Sequence, residues 1–122
     1  MAVRYEEKKT PKGFPLLVMY VSGNCDLEQS ETLGVRIKKG GDFHRQRVLV
    51  FVAAGTEYTP DARKYFPTLN EDHLGMATVV TSAIVRAMIN LITRFAGGVK
   101  HFKMFTEEAP ALAWLDSLGT SG

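Results

Sequence analysis

With a single cysteine, Cys25, the chain can form neither an internal disulfide nor a thiolate metal cluster. With no second cysteine and no nearby histidine, Cys25 reads as a buried or semi-buried thiol rather than a redox or nucleophilic group. Long apolar runs are also missing. No stretch approaches the roughly 20 residues of a membrane span, so no transmembrane segment is expected. Met1 to Lys12 is charged and lacks the apolar core of a signal peptide, and the expectation is a cytoplasmic protein. Charge of one sign is scarce, with a formal net charge of only +2, which gives no reason to expect nucleic acid as a partner. The densest basic stretch holds Arg36, Lys38, Lys39, Arg45 and Arg47 within twelve residues, opposed only by Asp42. It reads as a solvated helix end and loop.

Catalytic signatures are missing too. No Gly-x-Ser-x-Gly elbow precedes a helix, and no Gly-Lys-Ser/Thr marks a phosphate loop. The three histidines, His44, His73 and His101, fall in a basic loop, an acidic loop and the fifth long strand, with no paired base or orienting acid in view. Asp72-His73 lacks a spaced companion pair of ligands and reads as a surface loop. The expectation is a chain with no catalytic residues, no metal and no cofactor, and hence not an enzyme.

What the sequence does contain is the composition of a globular domain, with 45% hydrophobic and 23% charged residues in 122. One domain over residues 1–122 is expected, since neither a repeat nor a dividing linker interrupts it. Val3 to Thr10 suits an edge strand, and Pro11-Lys12-Gly13 a turn. Phe14 to Ser22 is almost continuously apolar, as expected of a strand buried on both faces. Asp26 is placed to cap a helix from Leu27 to Lys39, which Gly40-Gly41 stops. Its apolar stripe is Leu27, Gly34 and Ile37, with Leu33 beside it. Arg47 to Ala54 is a second doubly buried strand. Thr59-Pro60 opens a short helix to Phe66 by cap and first-turn proline.

Met76 to Thr81 is the third buried strand, and Ser82 or Thr81 caps a helix from Ala83 to Ala96. Ile84, Met88, Leu91 and Phe95 form its stripe, widened by Val85, Ile89 and Ile92. Gly97-Gly98 ends it, and Val99 to Phe105 alternates like a strand nearer an edge. A last helix from about Thr106 presses Trp114 and Leu115 on the sheet, and Thr120-Ser121-Gly122 is a frayed tail. The order β-β-α-β-α-β-α-β-α predicts an α/β fold: a mixed, mostly parallel sheet of about five strands.

Parallel sheets present ligand sites beyond the carboxyl ends of their strands. Here those ends carry Thr56, Tyr58 and Thr59, then Ser82 and, one turn into the long helix, Arg86. Tyr65 and Phe66 join Tyr58 around the short helix. Capping alone accounts for Thr59 and Ser82, and packing for the aromatics. The alternative is a rim that binds a partner or ligand through these seven residues, with Tyr58 and Tyr65 as exposed aromatic anchors and Arg86 as a cation.

Several segments together carry a family resemblance. They are Thr59-Pro60-Asp61-Ala62-Arg63, the Met76-to-Thr81 strand feeding Ser82-Ala83-Ile84-Val85-Arg86-Ala87-Met88, and the ending Phe102 to Leu115 with its Ala-Leu-Ala-Trp-Leu run. With the element order, they resemble the SpoIIAA-like, STAS-related bacterial proteins. That resemblance implies helices packed mainly on one face of the sheet and a non-catalytic regulatory module. It further implies action by protein–protein interaction, with a homodimer among the allowed assemblies. It also implies, through the likeness of the SpoIIAA-like branch to Sec14-type folds, a pocket for a small apolar, lipid-like ligand. The family's phosphorylatable Asp-Ser-Ser-Gly does not occur around Gly55-Thr56-Glu57-Tyr58-Thr59, and Thr56 or Thr59 is only a loose substitute.

Overall fold

The computed structural model describes residues 3–95 and 101–118. Its long strands are β1 (Val3–Lys9), β2 (Pro15–Val21), β4 (Arg47–Val52), β6 (Gly75–Val79) and β7 (Phe102–Phe105), ordered β1-β2-β4-β6-β7 in one sheet. The opening hairpin pairs antiparallel, with Val3 opposite Val21, and every later neighbour pairs parallel. Two short strands, β3 (Asn24–Cys25) and β5 (Glu57–Tyr58), pair parallel in a separate ribbon. The helices are α1 (Leu27–Ile37), α2 (Pro60–Tyr65), α3 (Ala83–Phe95) and α4 (Glu108–Ser117), with a 3-10 turn at Phe66–Leu69 extending α2.

The strand order decides where the helices go. Strands β2, β4, β6 and β7 are laid down in one direction, so right-handed crossovers put every connecting helix on one face. Leu33 and Ile37 of α1, Ala62 of α2, and Val85 and Ile89 of α3 accordingly pack with Leu17, Met19, Val48, Val50 and Met76. Residues one step along the strands, Leu16, Val18, Leu49 and Ala77, face the other way and meet Ala111 and Leu115 of α4. Three helices thus cover one face and a single helix the other, as the family resemblance implied.

Local chemistry places the helix starts as read from the sequence. Asp26 accepts from the Gln29 amide at 2.9 Å, Thr59 from Ala62 at 3.3 Å, and Ser82 rather than Thr81 from Val85 at 3.3 Å.

Five expectations change. The outer stripe of α3 is misassigned: Ile84 and Leu91 are exposed at 84% and 52%, whereas Val85 and Ile89 are buried. The sheet meets only one side of that helix, and sequence periodicity cannot choose which side of a broad apolar band wins. His101 lies before β7 rather than in it, with a left-handed φ of 56°. The basic stretch is not uniformly solvated, because Arg47 is 1% exposed and Arg36 is ion-paired to Asp42 and Glu7. Trp114 is half-buried against Phe105, leaving Ala111 and Leu115 as the fully buried residues of α4. His73 is buried at 3% exposure rather than on a surface loop. The expectations for Ala96, Gly97-Gly98, Val99 and the Thr120-Ser121-Gly122 tail fall outside the described residues, as do the side chains of Ile92 and Phe95.

Candidate functional site

On the three-helix face the core is not completely filled. Between the sheet and α3 lies a partly open cavity of about 50 Å³. Sheet positions pointing to this face supply its floor, among them Met19, Met76 and Thr78, while Ile89 of α3 and Phe66 close over it. Tyr58 reaches the cavity because β5 pairs with β3, setting it opposite Cys25. Its ring meets Phe66 edge-on, with centroids 5.6 Å apart at 85°. Burial raises the Tyr58 phenol above its ordinary range.

His73 also lines the cavity. It sits just before β6, with its backbone carried inward because Leu74 donates to Gln46 and Asp72 to Leu69. Its Nδ1 is buried without a hydrogen-bond partner among the described residues. An orphaned buried nitrogen of this kind costs on the order of 1–3 kcal/mol. Burial is also the first cause of a pKa pushed down from 6.5 to about 4, with His101 lowering it further and Glu71 opposing. The His101 ring stands perpendicular to His73 at 6.4 Å. The side chain is therefore a neutral imidazole near pH 7, able to accept or donate one hydrogen bond according to tautomer. Among the described residues, no Lys, Arg, Asp or Glu lines the cavity.

The seven residues singled out in the sequence separate into four groups. Tyr58 and Phe66 share the cavity. Tyr58, 7% exposed, is a core side chain and not an exposed anchor, because the β3–β5 ribbon draws it inward. Tyr65 is half-buried, its hydroxyl resting over Gly34 and its ring under the Lys38 ammonium at 4.9 Å, so it is not an open anchor either. The three hydroxyls serve the backbone: Thr56 donates to the Ala53 carbonyl at 2.6 Å, while Thr59 and Ser82 cap α2 and α3. Arg86 is half-exposed and lies outside the cavity lining. A second, open groove does occupy the carboxyl-end rim, with Tyr5, Ser22, Gln29 and Thr81 along it. None of the seven residues lines that groove.

Sequence reasoning missed His73 and Thr78. Thr78 left a trace, being the one polar residue inside an apolar strand. His73 left none, because its burial depends on β6 and on the neighbouring His101 segment. Cys25 is fully buried, its thiol 3.5 Å from the Ser30 hydroxyl and its pKa raised by burial. Its burial is as expected. Among the described residues, no group of three or more His, Cys, Asp or Glu could hold a metal ion, and no helix is long and apolar enough to cross a membrane.

Comparison with known proteins supports the fold. A crystal structure of an uncharacterized protein from the DUF3478 family with a SpoIIAA-like fold, from Shewanella loihica PV-4, superposes with a TM-score of 0.64. The match covers 93% of this chain and 94% of that one at 12% identity. The fold is thus SpoIIAA-like, as the sequence resemblance implied. No curated protein matches the chain. A family profile does match residues 22–119, described as a domain of unknown function, DUF7793. By that match, which takes in everything from the end of β2 through α4, the chain belongs to the DUF7793 family.

Proposed function

We propose that this chain is a non-catalytic, STAS-like regulatory module that acts by docking to a protein partner. The observation that carries this reading is the outer face of α3. Ile84 and Leu91 lie two turns apart on one side of the helix, exposed at 84% and 52%, and Ala87 between them is exposed as well. Arg94, one turn beyond Leu91, is exposed beside this strip, and α3 carries no acidic residue. An apolar strip with a cation beside it is suited to a partner with an apolar patch and an acidic edge. Arg86 and Tyr58, both singled out from the sequence, lie outside this strip.

The test compares the wild-type chain with the double variant Ile84→Asp and Leu91→Asp as baits in the native cell extract, with folding checked by circular dichroism. The expected result is a discrete partner held by the wild type and lost by the variant. A partner retained by the variant, or none held by either, overturns the assignment. Light scattering on the purified chain covers the case in which the partner is a second copy.

A second reading is binding or sensing of a small apolar ligand. The cavity under α3, with its uncharged lining, favours it. Titration with an apolar fluorescent probe, monitored for saturable enhancement, separates this reading from a purely protein-docking role.

A further inference from the structure

Resting on the ligand reading, we propose that the cavity under α3 takes a small molecule with an apolar body and one uncharged hydrogen-bonding group, and that this group seats on Nδ1 of His73. Two features of the lining define the ligand's chemistry. The first is the absence of any charged side chain around the cavity among the described residues. A carboxylate, phosphate or ammonium entering it would lose its water and gain no counter-charge, so charged ligands are excluded on desolvation grounds. A fatty-acid anion is therefore a poor occupant, whereas a phenol or an alcohol is a good one.

The second feature is the orphaned nitrogen. His73 is 3% exposed, and its Nδ1 has no partner among the described residues. Buried polar atoms in native proteins are nearly always satisfied, and the exceptions mark strained, functional or solvent- and ligand-filled places. A hydroxyl reaching this atom would supply the missing bond. With the remaining lining largely aliphatic or aromatic, His73 fixes the orientation of an otherwise non-directional ligand.

Size sets the next constraint. The cavity of about 50 Å³ holds little more than a water as it stands, and a roughly 150 Å³ cavity is needed to hold benzene. Met19 and Met76 both line it. Unbranched thioether chains change rotamer cheaply and fill or vacate irregular space. The site accordingly opens by methionine rearrangement to admit a single small ring, and it does not admit a long chain.

The test uses phenol and its isostere toluene, titrated by calorimetry into the whole chain and into His73→Leu. The wild type is expected to bind both. In His73→Leu, phenol is expected to weaken by about tenfold or more, while toluene stays within about threefold. Phenol, but not toluene, should also shift the His73 side-chain nitrogen resonance in the wild type, a readout independent of how the variant folds. Equal phenol affinity in the two proteins, or parallel loss of both compounds, overturns the role of His73 while leaving the ligand reading in place. Binding of neither compound to the wild type overturns this proposal. Saturable binding of the fluorescent probe in that case would leave the broader reading standing, and its absence would remove both.

Discussion

The guanidinium of Arg47 donates through Nε to the backbone carbonyl of Leu115 at 2.7 Å, joining residues 68 positions apart. Its second nitrogen donates to the Leu118 carbonyl at 3.0 Å, and its plane lies 3.9 Å from the Phe14 ring centroid. Helix C-termini leave carbonyls unpaired, and here a buried cation from the first residue of β4 satisfies those of α4. Burial lowers the Arg47 pKa, and Asp116 partly opposes the shift.

Replacing Arg47 with Met should therefore cost about 2–4 kcal/mol, since hydrogen bonds to a charged donor contribute about 1.5–3 kcal/mol each but are partly offset by relief of burying a charge. Urea denaturation measures the loss. Hydrogen exchange should show faster amide turnover in α4 than in α1. A variant as stable as the wild type would mean that the carbonyls find another partner.

Gly34 allows α1 and α2 to approach closely. A Cβ at position 34 would overlap the Tyr65 hydroxyl. Gly34→Ala should destabilise by about 1–3 kcal/mol despite alanine's better helix propensity, because overpacking outweighs propensity at a tight contact. Adding Tyr65→Phe removes the overlapping oxygen and should recover part of the loss. The double-mutant cycle is the measurement, and strict additivity would refute the contact.

His73 gives a pH dependence with a definite sign. Its folded pKa of about 4 lies below its ordinary 6.5. Between those values the unfolded chain holds a proton that the native chain does not, so acidification favours unfolding. The His73 contribution is flat above about 6.5 and is lost progressively as pH falls to about 4, a loss on the order of 3 kcal/mol. Denaturation midpoints from about pH 7.5 to about pH 4 should fall for the wild type and fall less for His73→Leu. Parallel curves would refute a buried neutral imidazole.

On α4 the exposure of each side chain predicts a reversal of the usual size order. Leu115 is fully buried, and Trp114 only half. Leu115→Ala should cost about 2–5 kcal/mol, within the range for core leucines, and Trp114→Ala less. A sequence-level expectation of about 3–5 kcal/mol for Trp114 treats it as a core aromatic. Thermal melts of the two variants decide the order.

The elements of this chain were legible because apolar runs, Asp26 and Thr59-Pro60 are local signals. The SpoIIAA-like layout followed from their order. What escaped depends on tertiary choices. Val85 and Ile84 are adjacent on an apolar helix, and only the position of the sheet buries one and exposes the other. Two-residue strands such as β3 and β5 have no periodicity to detect, yet their pairing turns Tyr58 from a rim residue into part of a cavity wall. Arg47 and His73 are residue types usually solvated, buried here by elements far away in the chain. Of the seven rim residues expected from the sequence, Tyr58 and Phe66 line the cavity under α3.

The order of the five long strands across the sheet, β1-β2-β4-β6-β7, repeats their order along the chain. No strand has to be inserted between two that are already paired. The hairpin of β1 and β2 closes through Pro11-Lys12-Gly13, where Gly13 takes a φ of 91°. Each later long strand then joins at the free edge beside its predecessor, preceded by its own crossover helix. Assembly can thus keep pace with synthesis from the amino terminus, each step closing only the loop it has just completed. Until β7 is in place the growing sheet presents a single new edge, and the next long strand along the chain is the one that pairs with it.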